Sequence, residues 1–214
     1  KELAATLKRI QTEGRKGFYT GKTADFIVRE ISKKHGIMTH EDLENYHAVW
    51  RPVIKFPYRG YQIISMPPPS SGGICLAEML NMTETFDLSS HGFQQTQSIH
   101  IMTETARRAY ADRAEHLGDM DFYQVPLATL TDKTYAQQRI ADFDSINATP
   151  SDSIDHGNAV ATESEQTTHY CIVDKAGKAL SVTTTINSNF GNKIIVEGAA
   201  VSYTHLTLPT ISSV

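Results

Sequence analysis

The segment from Thr168 to Asn187 can fold in very few ways. Residues suited to strands alternate on both sides of Asp174-Lys175-Ala176-Gly177-Lys178. A three-residue hairpin loop needs a left-handed residue at its third position, and Gly177 takes that conformation without steric cost. Asp174 then pairs with Lys178 and the antiparallel register is fixed. Counting back along both strands sets Thr167 opposite Thr185, with Asn187 two residues further along the same face. Directly opposed side chains have Cβ atoms about 4.5–5.5 Å apart, close enough for one hydroxyl to hold the other. The opposite face of the second strand, Leu180, Val182, Thr184 and Ile186, is predicted to be core.

The same strand begins abruptly. In Glu165-Gln166-Thr167-Thr168-His169-Tyr170 a long polar stretch gives way to a strand pattern led by two threonines. Threonine is common in strands because β-branched side chains suit a pleated surface, so the pair alone says little. Its hydroxyl is a poor nucleophile without a base. A chain cut just before a threonine supplies that base as the new α-amino group, with a pKa of about 8, which makes Thr167 the candidate nucleophile.

Elsewhere helices dominate. Leu3, Leu7 and Ile10 stand at helical spacing, as do Ala24, Ile27, Val28 and Ile31, a helix that Gly36 is predicted to end. Thr39 and Asp42 form a capping pattern opening a short helix to about Tyr46. Arg51 to Phe56 and Tyr61 to Met66 read as strands across a turn at Arg59-Gly60. Helical patterning returns from Ile74 to about Thr83 and from Phe93 to Leu117, with Gly118 as the stop. From Asn147 to Gln166 the composition turns to Ser, Thr, Asp, Asn and Gly, predicting a mobile loop. The division expected is a helix-rich region over residues 1–146, that loop over 147–166, a hairpin region over 167–198 and a tail over 199–214.

Composition bounds the chemistry. A chain of 214 residues with 40% hydrophobic and 21% charged residues suits a single globular domain with a sizeable core. A net charge of −4 gives no reason to expect nucleic acid as a partner. No apolar run approaches the ~20 residues of a membrane span. The nine histidines form no His-x-x-x-His or His-Glu-x-x-His pattern, so neither a metal nor another cofactor is expected.

Other residue groups have a plainer reading. Ser70-Ser71-Gly72-Gly73 lacks the lysine of a phosphate-binding loop, and a serine N-cap on the following helix is preferred. Arg107, Arg108 and Arg113 could bind a carboxylate, but a solvated or ion-paired helix face is the simpler expectation. His169 lies on the Thr167 face by alternation and is expected to be a hydrogen-bonded strand histidine. Cys171 shares that face, has no evident cationic neighbour, and is expected to be a small buried hydrophobe. Cys75 and Cys171 do not define a disulfide.

Several motifs occur together in one order. They are Gly17-Phe18-Tyr19-Thr20-Gly21, Thr39 with Asp42-Leu43 and Tyr46, Met66-Pro67-Pro68-Pro69-Ser70-Ser71-Gly72-Gly73, Ala111-Asp112-Arg113 with Leu117-Gly118-Asp119, and Thr167 through Asn187 to Phe190-Gly191. Together they resemble the γ-glutamyltranspeptidases, over Lys1 to about Gly198. The resemblance implies an α+β N-terminal-nucleophile hydrolase, an αββα sandwich incomplete over this length, whose precursor cuts itself between Gln166 and Thr167. It implies large and small subunits that stay associated as a heterodimer. By position, Thr167 attacks the γ-amide of glutathione or another small γ-glutamyl compound, Thr185 hydrogen-bonds the nucleophile, and Asn187 holds the α-amino end of the glutamyl group. The γ-glutamyl ester then passes to water or to an amino-acid or peptide acceptor, and the resemblance suggests a periplasmic or extracellular site.

The expected family pattern stops after Gly198, and 199–214 resembles translated adapter sequence, which predicts a non-native tail. The acidic ligand for the substrate amine, the Ser-Ser carboxylate ligands and the Gly-Gly oxyanion amides would then lie outside the chain, as would an arginine ligand from the family's N-terminal portion. The first residue is not Met, so a missing N-terminal portion is expected. Two other readings stay open: a related N-terminal-threonine amidohydrolase acting on γ-polyglutamate or a β-lactam side chain, and a non-catalytic chain that only assembles with a partner.

Overall fold

The computed structural model describes residues 1–155, 167–185, 191 and 193–202. The chain divides into two compact units, one of residues 1–49 with 162–214 and one of 50–161, in place of the single domain that length suggested.

The first unit opens with α1 (Glu2–Glu13), α2 (Lys16–Tyr19), α3 (Gly21–Lys33) and α4 (His40–Asn45). Its later strands are β3 (Thr167–Val173), β4 (Ala179–Thr185), β5 (Ile195–Val196) and β6 (Val201–Ser202). α3 buries the predicted stripe: Ala24, Ile27 and Ile31 pack with Met38, Leu43, Val196 and Ala199. α1 and α2 meet closely because residue 17 is glycine; a Cβ there would stand 2.3 Å from the Arg9 carbonyl oxygen. The Thr6 hydroxyl donates to the Ala199 carbonyl at 2.9 Å, and β6 pairs with β5. Within the segment expected from the sequence to be a non-native tail, Ala199 belongs to this core and Val201 packs against it.

Two local endings show how caps form. α4 has the expected capping box: Thr39 Oγ1 accepts the Asp42 amide and Asp42 Oδ2 accepts the Thr39 amide. α3 ends differently from expectation. His35, at φ 60°, takes the left-handed position, and the amides of His35 and Gly36 return to the Ser32 and Ile31 carbonyls.

The second unit runs β1 (Ile54–Tyr58), β2 (Tyr61–Ser65), α5 (Gly72–Thr83), α6 (Leu88–His91), α7 (Thr96–His116), α8 (Leu127–Leu130), α9 (Lys133–Arg139) and a 3-10 turn at Ser151–Ser153. The Arg59-Gly60 turn is as predicted, both residues having positive φ. β1 starts at Ile54 rather than Arg51, which leaves the ladder to bind the Asp121 carboxylate. α5 lies directly on the strand end, since a Cβ on Gly73 would meet the Met66 carbonyl oxygen at 2.1 Å. Ile54, Phe56, Ile74, Ala77, Val125 and Leu130 form one core cluster, and Met82, Ala109, Ala136 and Ile140 a second.

Three expectations change here. α7 ends at His116, with Leu117 already extended, one residue before the predicted Gly118 stop. Ser71 occupies the N-cap of α5 without capping it, because its hydroxyl accepts from Arg113 Nε at 3.0 Å; the Ser70 hydroxyl accepts the Gly72 amide instead. Of the predicted loop, 147–155 is anchored: Ile154 is buried, and Thr149 and Ser151 accept hydrogen bonds from Arg108 and Arg107. The rest of that prediction, 156–166, lies outside the described residues. Among the described residues no helix is long and apolar enough to cross a membrane.

Candidate active site

The hairpin forms in the register that its turn dictates. Gly177 has φ 77°, its amide donates to the Asp174 carbonyl at 3.0 Å, and the Asp174 amide donates to the Lys178 carbonyl at 3.0 Å. Asp174 adds a signal that strand alternation alone does not carry. Its Oδ1 accepts the amides of Ala176 and Lys178, both at 2.9 Å, so the side chain holds the loop closed from within. β3 and β4 then pair Thr167 with Thr185, His169 with Thr183, and Cys171 with Ser181.

The turn also sets the phase of the ladder. In antiparallel pairing, hydrogen-bonded pairs recur at every second position, and Asp174–Lys178 is one of them. Thr167–Thr185 is out of step with those pairs, at a position of the kind where opposed backbones approach to about 4.5 Å between Cα atoms and side chains come closest. Neighbouring pairs on that face demonstrate the contact. His169 Nδ1 lies 2.8 Å from Thr183 Oγ1, and Cys171 Sγ lies 3.5 Å from Ser181 Oγ. His169 Nε2 reaches Ser181 Oγ at 3.2 Å and Cys171 Sγ at 3.4 Å. The face that carries Thr167 and Thr185 by register is thus a ladder of polar cross-strand contacts.

His169 is the hydrogen-bonded strand histidine expected. Cys171 is not a buried hydrophobe: it is exposed and has His169 as a neighbour. The other face is not core either. Leu180 is 52% exposed, Thr184 is exposed and Val182 is half-buried, because no described element packs over this two-stranded sheet. Ile186, Asn187 and Gln166 lie outside the described residues, so the structure carries the Thr167–Thr185 register but neither the residue before the candidate nucleophile nor the expected amine ligand.

The three α7 arginines are committed elsewhere. Arg108, 1% exposed, donates to Glu104 Oε2 at 2.6 Å, Asp142 Oδ1 at 2.7 Å and Thr149 Oγ1 at 3.0 Å. It is ion-paired as expected, but buried rather than solvated. Arg107 donates to Glu104 Oε1 at 2.5 Å and to Ser151 Oγ, and Arg113 to Ser71 Oγ. Burial works to raise the Glu104 carboxyl, but hydrogen bonds from Arg108, Thr149 and Arg107 outweigh it and hold the group down at about 2. Among the described residues no group of three or more His, Cys, Asp or Glu side chains could hold a metal ion.

Comparison with known proteins gives a consistent result. The family model described as gamma-glutamyltranspeptidase matches residues 1–204. The glutathione hydrolase proenzyme of Escherichia coli (strain K12) is 47% identical over 193 residues, covering 90% of this chain and 33% of that protein. The acylase ACY 1 proenzyme of Pseudomonas sp. (strain SE83) is 37% identical over 200 residues, covering 94% of this chain and 35% of that protein. Among solved structures, the Helicobacter pylori gamma-glutamyltranspeptidase superposes with a TM-score of 0.67 at 44% identity, over 76% of this chain and 46% of that one. The chain therefore spans about a third of the length of these two curated relatives.

Proposed function

The chain belongs to the γ-glutamyltranspeptidase family, and on that premise we propose that Thr167 becomes the N-terminal nucleophile of a γ-glutamyl acyl transfer. The observation that carries this reading is the hairpin register, which pairs Thr167 with Thr185 at a position of close cross-strand approach. Processing comes first. The Thr167 hydroxyl attacks the Gln166 carbonyl, the peptide bond gives way to an ester, and water opens that ester to leave a Gln166 carboxylate and a free Thr167 amine.

That amine then serves as the base. It takes the Thr167 hydroxyl proton as the oxygen attacks the γ-amide carbonyl of glutathione or a related γ-glutamyl compound. The departing amine leaves protonated, a γ-glutamyl-threonine ester remains, and water or the amine of an amino acid or peptide resolves it. Thr185 orients the nucleophile and Asn187 holds the glutamyl α-amino end. The two products of processing stay together as large and small subunits.

A second reading keeps the nucleophile and changes the acyl group. The similarity to an acylase proenzyme is what keeps this reading open; the substrates it names are a β-lactam side chain and γ-polyglutamate. The test uses the chain extended to the length of its relatives, assayed with γ-glutamyl-p-nitroanilide with and without an acceptor dipeptide. The proposal expects p-nitroaniline release that Thr167→Ala abolishes. Deacylation of a β-lactam side chain without γ-glutamyl activity would select the second reading, and activity retained in Thr167→Ala would overturn both.

A further inference from the structure

The middle of the β3–β4 hairpin groups a thiol, an imidazole and two hydroxyls on one face. Cys171 Sγ lies 3.4 Å from His169 Nε2 and 3.5 Å from Ser181 Oγ. The same Nε2 lies 3.2 Å from Ser181 Oγ, and Nδ1, on the other side of the ring, lies 2.8 Å from Thr183 Oγ1. Strand geometry causes this grouping. His169 and Cys171 are two residues apart on β3 and so share a face, and the register sets Thr183 opposite the first and Ser181 opposite the second. All four residues are exposed. Cys75, the other cysteine, is buried on α5.

A thiol with a base in reach, and a further group that orients the base, is the arrangement of an assisted nucleophile. We propose that Cys171 and His169 form a reactive dyad that exchanges with small-molecule disulfides and so carries a reversible mixed disulfide. In that dyad His169 Nδ1–H donates to Thr183 Oγ1, which holds the ring and leaves the Nε2 lone pair toward the sulfur. Ser181 shares Nε2, but a hydroxyl is much the weaker nucleophile, so the sulfur is the atom that reacts.

The exchange balances between two reactants. His169 Nε2 takes the thiol proton as Sγ attacks one sulfur of R–S–S–R. The Cys171–S–S–R bond forms as the original S–S bond breaks, and the departing RS⁻ recovers the proton from the imidazolium to leave as RSH. Cys171 is oxidised, one half of the small disulfide is reduced, and no other oxidant is required. Disulfide exchange suits an open face because the leaving thiolate does not need the aimed donors that a tetrahedral acyl intermediate needs. The adduct stands on the face that carries Thr167 by register, about 13 Å from it along the strand.

The test is the rate at which the 214-residue chain reacts with dithiobis(nitrobenzoate) at pH 7, with intact mass after incubation in glutathione disulfide. A free thiol is only a few per cent thiolate at pH 7, so complete removal of its proton is worth at most roughly thirtyfold. One thiol per native chain should react, about ten times faster than in His169→Gln, and Cys171→Ser should abolish that phase. Thr183→Val should slow it severalfold by freeing the ring, whereas Thr183→Ser should keep it. At pH 10, where a free thiol is ionised without help, parent and His169→Gln should react alike. Equal rates at pH 7 would overturn the proposal, as would a gap that persists unchanged at pH 10, because the difference would then be one of access. The mass should rise by one glutathionyl group that dithiothreitol removes, and no adduct would also overturn it. If a variant folds poorly the parent alone decides: its native thiol must outpace the thiols of the same chain in urea at pH 7, and a slower native reaction would refute the dyad.

Discussion

At the residue scale the proposed function turns on which hydroxyls share a face. Thr185 is paired with Thr167, whereas Thr184 pairs with Thr168 on the other side of the sheet. In a chain of the relatives' length, Thr185→Ala is expected to slow both self-cleavage and turnover by roughly tenfold or more, from the loss of one orienting hydrogen bond. Thr185→Ser should keep most of both. Thr184→Ser should change stability more than rate, and the opposite ranking in a kinetic assay would mean a register shifted by one. A pH effect belongs here too. The Glu104 carboxyl is held down at about 2, so its contribution to stability is present above the ordinary carboxylate range near 4.5 and is lost as pH falls through about 2. Glu104→Gln should flatten that acid limb in a urea-midpoint titration; an unchanged limb would place acid sensitivity elsewhere. Single residues were the least legible in the sequence. Arg108 is ion-paired as expected, but its burial and the exposure of Cys171 do not follow from local pattern, because burial depends on what covers a side chain.

At the element scale the hairpin was legible because its determinants are local. Strand alternation has period two, and Gly177 with Asp174 fixes the turn, so register follows by counting. The capping box at Thr39 and the Arg59-Gly60 turn were readable for the same reason. Endings decided by distant partners were not. The Ser71 hydroxyl accepts from an arginine 42 positions away instead of capping α5. Two substitutions test the packing of these elements. Gly73→Ala should cost about 1–3 kcal/mol or more, because its methyl group meets a backbone carbonyl that cannot swing aside. Arg108→Ala should cost about 3–5 kcal/mol by leaving Glu104 buried without its main cation. Both are read from urea midpoints at constant slope, and a stability within the ~0.5 kcal/mol scatter of ordinary surface substitutions would contradict them.

At the scale of the whole molecule, the fold class is that of the α+β N-terminal-nucleophile hydrolases, and the described strands contribute three two-stranded sheets to it. Both faces of the β3–β4 hairpin are largely exposed, with Tyr170, Ile172, Val173 and Leu180 among the exposed hydrophobic residues. Such a ribbon is marginal alone and offers open edges to other strands. The 214-residue chain by itself is accordingly expected to give no measurable turnover of γ-glutamyl-p-nitroanilide. The family resemblance puts the oxyanion donors beyond Gly198, and even one such donor is typically worth ~10²–10³ in rate. Activity equal to that of a chain extended to the relatives' length would refute that placement. The central claim, that Thr167 cuts the chain before itself and then acts as nucleophile, is tested most directly by intact mass and N-terminal sequencing of the extended protein purified without added protease. Self-cleavage predicts two pieces, the second beginning at Thr167, and a single uncut chain from Thr167→Ala. Two pieces with that same new N-terminus from Thr167→Ala would assign the cut to another protease and contradict it.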